Sequence, residues 1–155
     1  MTFPSFTAAP QLKANLYNIA KNTVYVQDPN VGVYLGNPGM ADPDQDMVLF
    51  LDMHTTQDPA TLANRSRDET IELDVMYSSF VGGEDDDAAA TDRAYHLLGQ
   101  LEQYCRTTDP TVGGAVLWCF VTEIQSKGQT APESLPGGRL IYVLARFTAR
   151  ARISN

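Results

Sequence analysis

Residues 138–153 read GRLIYVLARFTARARI, and their alternation decides the fold class. From Arg139 to Ile153 the chain places Ile141, Val143, Ala145, Phe147, Ala149, Ala151 and Ile153 on one side, because successive side chains of a strand point to opposite faces. The other side opens with Leu140, Tyr142 and Leu144 and continues with Arg146, Thr148, Arg150 and Arg152. The first half of this strand is expected to be buried on both faces and the second half on one. Its fifteen residues, at about 3.3 Å each, span about 50 Å. A compact domain of this length is about 40 Å across. Either the strand curls with its sheet, or its arginine-bearing end projects as an edge that can pair with a neighbour.

Upstream of this strand, residues 125–138 read as a hydrophilic loop with Pro132 and Pro136. Ala115 to Ile124 is strand-like, with Val116, Trp118, Phe120 and Ile124 on one face, and Trp118 and Phe120 read as core. Asp109-Pro110 and Gly113-Gly114 turn the chain before it. Ala88 to Arg106 carries the clearest helical stripe, through Ala90, Ala94, Leu97, Leu98, Leu101, Tyr104 and Cys105. The acids Glu84, Asp85, Asp86 and Asp87 precede it and Arg106 ends it, both complementing the helix dipole.

Residues 69–80 alternate as a half-buried strand, with Ile71, Leu73, Val75 and Tyr77 inward and Glu72 and Asp74 outward. Gln57 to Arg67 is polar and reads as a loop or short helical turn. Met47 to Met53 reads as a buried strand and residues 36–46 as a loop rich in Gly, Pro and Asp. Thr23 to Val26 and Val31 to Leu35 read as short extended pieces around an Asp28-Pro29-Asn30 turn. Gln11 to Lys21, led by Pro10, is a helix with Leu12, Leu16, Ile19 and Ala20 on one face. Long strands with no helix between them imply antiparallel pairing. The expected fold is therefore α+β: one twisted, mainly antiparallel sheet, with an N-terminal helix and a long central helix packed on it. No repeat or linker divides the chain, so residues 1–155 are expected to form a single domain.

Composition narrows the function. A chain of 155 residues with 43% hydrophobic content can bury a core without disulfides or metals. The start MTFPSFTAAP lacks a basic and then apolar leader. The longest apolar run, Ala115 to Val121, is far shorter than the roughly 20 residues of a membrane helix. Synthesis in the cytoplasm and a soluble product without membrane contact are expected. Net charge is −8, which argues against general DNA binding. Residues 1–90 carry four basic and fourteen acidic side chains, and residues 91–155 carry seven and five. Opposed poles suit head-to-tail contact between subunits, and equally serve solubility.

No phosphate-binding, nucleophile-elbow or zinc-protease pattern is present. Cys105 and Cys119 lack a metal-ligand spacing and read as buried free thiols. Asp52 and His54 are two residues apart and could point the same way, which leaves a small enzyme with a dispersed site as an alternative. His96 reads as a boundary residue of the long helix. No metal, no cofactor and no catalytic residue is expected, and the chain is read as a non-enzyme.

The element order and residue character of DETIELDVMYSS (68–79), DRAYHLLGQLEQYC (92–105), DPTVGG (109–114), AVLWCFVTEIQS (115–126) and the closing strand resemble those of the tail terminator proteins of long-tailed bacteriophages. The resemblance covers most of the chain, and that group offers no catalytic residues to carry over. It implies a virion protein at the head–tail junction that forms a ring, usually of six subunits. The ring caps the head-proximal end of the tail tube, stops its growth, and offers a surface to the head connector or stopper, while genomic DNA passes through without sequence-specific binding. Its partners are then other copies of itself, the tube protein and the connector. On this reading Arg146, Arg150 and Arg152 would meet Glu84, Asp85, Asp86 and Asp87 across the subunit interface. Asp42, Asp44 and Asp46, in the loop 36–46, or else Glu84 to Asp87, would face the tube or the passage. Other neck components and a tail tube subunit are the rivals in the same class. The tube subunit is disfavoured because no long β-hairpin is legible.

Overall fold

The computed structural model describes residues 3–36, 46–61, 65–82, 87–127 and 138–154. Helix α1 (Ala9–Ile19) starts with Pro10 in its first turn, where a missing N–H costs nothing. Strands β1 (Val31–Leu35), β2 (Asp46–Thr61) and β3 (Ser66–Gly82) follow. Helix α2 (Asp87–Gln103) then leads to β4 (Trp118–Lys127) and β5 (Gly138–Ile153). Both helices end in a single π-helical turn, Ala20–Val24 and Tyr104–Thr108.

The strands form one five-stranded sheet in the order β1-β2-β3-β5-β4. β1 runs parallel to β2, and every other pair is antiparallel. The architecture is the α+β one expected from sequence. Both helices lie on one face of the sheet. There, Ile71, Leu73, Val75 and Tyr77 of β3 meet Ile141, Val143, Ala145, Phe147 and Ala149 of β5, all buried. Ala90, Ala94, Leu97, Leu98 and Leu101 of α2 and Leu12 and Leu16 of α1 close this core. Full burial of one such leucine is worth about 2 kcal/mol.

Three expectations are corrected. Thr23 to Val26 is not extended. The Tyr25 N–H bonds back to the Ala20 carbonyl at 2.9 Å and prolongs α1 as a π turn, because burial of Ala20 and Tyr25 outweighs the β preference of Thr and Val. Gln57 to Arg67 is not a loop with a helical turn. Gln57–Thr61 and Ser66–Arg67 are strand, and β2 and β3 make a long hairpin. This half of β2 is exposed, so the apolar alternation that betrays a strand is missing. Finally, β5 does not project as an edge. It pairs with β3 from Gly138 to Ile153 and with β4 from Tyr142 to Arg150, so it is interior.

Candidate functional site: the open face and edges of the sheet

The face of the sheet turned away from the helices carries the charge. Cross-strand registers set its rows. Trp118, Arg150, Thr70 and Thr56 form one row, and Phe120, Thr148, Glu72 and His54 the next. Arg146 reaches Asp74 (3.1 Å), Glu123 (3.3 Å) and Glu72 (3.8 Å). Arg152 reaches Asp68 at 2.9 Å, and Arg150 reaches Asp68 at 3.9 Å and Thr70 at 3.3 Å. The hydrogen bond from Arg152 holds the Asp68 carboxyl below the usual carboxylate range, and the Asp74 bond raises the Arg146 guanidinium. These pairs are well exposed, so each stabilises the fold little.

This placement gives the arginines partners within their own chain. Arg146, Arg150 and Arg152 were expected to face another subunit's acids. Instead they are engaged by acids of β3 in their own chain. The physical reason is register: antiparallel β3 and β5 set the acidic stretch 68–74 opposite the arginine stretch 146–152. Glu84, Asp85 and Asp86 lie outside the described residues, and Asp87 opens α2. Asp42 and Asp44 also lie outside them.

Asp46 was expected in an exposed loop. It is instead the first residue of β2, and its carboxylate is 13% exposed. It accepts from Arg93 Nε at 2.7 Å and from Ser79 Oγ at 2.8 Å. Arg93 also binds Asp28, whose carboxyl is held low chiefly by that bond. Parallel pairing of β1 with β2 brings Asp46 beside Val31 and thus close to Asp28, and α2 supplies the arginine between them.

Two further features had no role assigned from sequence. Glu69 is fully buried on the helix face and accepts from the Ala8 N–H at 3.0 Å and from the Thr7 hydroxyl, capping the start of α1 from across the sheet. Its signal was available: Glu69 is in phase with Ile71, Leu73, Val75 and Tyr77. Tyr25 donates to the Leu97 carbonyl, and burial pushes the Tyr25 and Tyr77 hydroxyls up.

His54 is exposed and lies across from Glu72, and a bulge between Phe50 and Met53 holds Asp52. Among the described residues, no group of three His, Cys, Asp or Glu side chains could hold a metal ion. His96 is exposed on α2. Cys105 and Cys119 are buried free thiols, as expected, and their mutual contact followed by burial raises Cys119. A groove of about 310 Å³ between the two π turns has a neutral lining that includes Thr23, Gln100, Gln103 and Tyr104.

Three stretches of strand keep an open edge among the described residues, of which the outer side of β1 is the shortest. The outer side of β4 is one. It exposes Phe120 (39%) and Ile124 (47%), and Leu117 (39%) just precedes it. Trp118 and Phe120 were expected in the core but lie on the open face, where their rings stack at 5.4 Å. The small Cys119 and Val121 take the helix face, beneath the end of α2, and leave the larger rings outside. The second open stretch is Asp52–Thr61 of β2, beyond the end of β1. No described helix is long and apolar enough to cross a membrane.

No protein-family model matches this sequence, and no curated protein matches it. Among solved structures, the chain is similar to one from the virion of a native gene transfer agent particle. The identity is 11% and the TM-score 0.54, with 96% of this chain and 99% of that chain covered. At that identity the likeness is one of fold.

Proposed function

We propose that this chain is a structural subunit of a phage-like particle, and that within that class it is the tail terminator. As such it forms a ring, usually of six copies, at the head-proximal end of the tail tube. The ring stops tube polymerisation, receives the head connector or stopper, and lets DNA pass. The chain acts by fitting its surfaces to copies of itself and to adjoining proteins, without catalysis and without a cofactor.

The observation that carries the reading is the end-to-end match of fold with a chain of a virion. Nearly all of both chains is covered, so a whole domain is shared and not a common fragment. The element order read from the sequence points to the same class. An acidic chain with its arginines neutralised internally also suits a passage that DNA must traverse without sticking.

The long β2–β3 hairpin favours one second reading, a tail tube subunit, because its apparent absence had counted against that role. Against it, β3 is clamped between β2 and β5 along its length, so the hairpin is no free arm. Electron microscopy of particles made without this chain separates the readings. Loss of a terminator gives overlong tails, loss of a stopper gives leaking heads with normal tails, and loss of a tube subunit gives no tails. Tails of normal length on DNA-filled heads would refute the terminator role.

A further inference from the structure

We propose that the outer edge of β4 takes up the open edge of β2 from a second copy of this chain, so that the sheets of successive copies continue head to tail. The proposal deepens the ring reading above and rests on it.

A strand edge is a row of unpaired backbone donors and acceptors, and soluble proteins normally shield it with charge, proline or a covering segment. The β4 edge carries one exposed acid, Glu123, at a bulge, and is otherwise without that shielding from Trp118 to Val121 among the described residues. It runs for ten residues, Trp118 to Lys127, and its exposed side chains include Phe120 and Ile124. Trp118 stacked on Phe120 forms a rigid aromatic pair of the sort that anchors interfaces.

Strand direction and level together select the occupant. β1, β2 and β5 run one way, and β3 and β4 the other. If a second copy is set beside the first without being inverted, its β2 lies antiparallel to β4. A cyclic ring with its axis near the strand direction therefore provides the favoured pairing with no reversal of subunits. Levels agree as well: Trp118 shares a row with Thr56, and Phe120 with His54, both within the stretch of β2 that β1 leaves open.

Area sets the strength. At those levels only Trp118 to Glu123 lie beside the open stretch, because Ile124 is level with Phe50, which β1 already covers. Six residues are about 20 Å long, and a strip about 12 Å wide covers about 240 Å² on each partner, a total of about 480 Å² that is below the range for stable complexes. One contact is thus weak, and closure of a ring, with two contacts per copy, supplies the rest.

Sedimentation equilibrium of the full chain tests this. The average mass should climb above the monomer value between about 10 μM and 1 mM. Phe120→Lys and Thr56→Lys alter exposed side chains at the two edges, and each should weaken association at least tenfold without changing the circular dichroism spectrum. An equimolar mixture of the two variants should recover a two-chain species, because each supplies the edge the other has lost. A wild-type chain that stays monomeric to about 1 mM would overturn the proposal. So would a mixture that forms no pair. So would Thr56→Lys associating like wild type while Phe120→Lys does not, the pattern of a twofold β4–β4 dimer. Tail length keeps the two ideas apart. Edge variants that lose association but leave tails normal sink the terminator reading, whereas a chain that controls tail length without associating sinks the edge.

Discussion

Glu69 offers the sharpest test of how the fold is held. Its carboxylate, on β3 at 0% exposure, accepts the Ala8 N–H at 3.0 Å and the Thr7 hydroxyl. It thereby satisfies a free donor at the start of α1 and places a negative charge at the positive end of the helix dipole. Glu69→Ala leaves two buried or half-buried donors unpaired, at about 1 to 1.5 kcal/mol each, and loses about 0.5 kcal/mol of charge–dipole attraction, for a total of about 3 kcal/mol. Glu69→Gln keeps an acceptor for Ala8 and can donate to Thr7 Oγ1, so only the charge is lost, at about 0.5 kcal/mol. For a chain of this length, 1 kcal/mol shifts Tm by roughly 3 °C, so the alanine variant should melt about 9 °C lower and the glutamine variant about 1.5 °C lower. Hydrogen exchange at the Leu12 amide, which bonds to the Ala8 carbonyl at 2.9 Å, should accelerate in the alanine variant before the sheet amides respond. An alanine variant within 0.5 °C of wild type, or exchange that rises equally in sheet and helix, would refute a local cap.

Four further outcomes follow from the same geometry. Arg93→Met removes the link between Asp28 and Asp46 and should cost about 1 to 2 kcal/mol in urea unfolding, since the pair is only partly exposed; no change in midpoint would count against the clasp. Replacing Arg146, Arg150 and Arg152 by Glu faces them with Asp68, Glu72 and Asp74 of the same chain, so melting should fall, and fall less in high salt. Gly114→Ala imposes a Cβ at φ +81, and should lower stability by about 1 kcal/mol although no atom lies within 4 Å. Acid titration reads the carboxyls. Asp28 and Asp68 are held below their unfolded values, so their contribution is complete above about pH 4 and is lost as pH falls through the lower folded values. A chain whose urea midpoint is flat from pH 5 to pH 2 would contradict that assignment.

Alternation made β3 and β5 legible, because each has one face fully buried and the sequence period is the strand period. The α2 stripe was legible for the same reason at helical spacing, and Ala90, Ala94, Leu97, Leu98, Leu101 and Cys105 are all buried. The outer half of β2 was not, since Gln57, Asp58 and Thr61 are exposed and held by backbone pairing alone. The sequence also could not tell which face of β4 is inward. Trp118 and Cys119 are both apolar, and only the packing beneath α2 chooses the smaller. Of the candidate site, the charges were legible and their partners were not. Arg146 to Arg152 and Asp68 to Asp74 are some seventy residues apart, and nothing in local spacing says that two strands will bring them into register.

That registration changes what could drive assembly. Had the arginines stood on an edge, contact between copies would be an exchange of opposite charges, strong at low salt and screened at physiological ionic strength. With Arg146 and Arg152 already bound to Asp74 and Asp68, a second subunit must compete with a partner in the same chain. Little electrostatic free energy is then left for association. Among the described residues, the open strand edges of β4 and β2 and the exposed Phe120 and Ile124 remain, and pairing of these depends on shape, strand direction and water exclusion, with little dependence on salt. Association of the purified chain should therefore change less than threefold between about 50 mM and 500 mM salt, measured by the same sedimentation experiment. A drop of tenfold or more would mean that the ion pairs of the open face break and re-form across the interface, and the charged-contact picture would have to be restored.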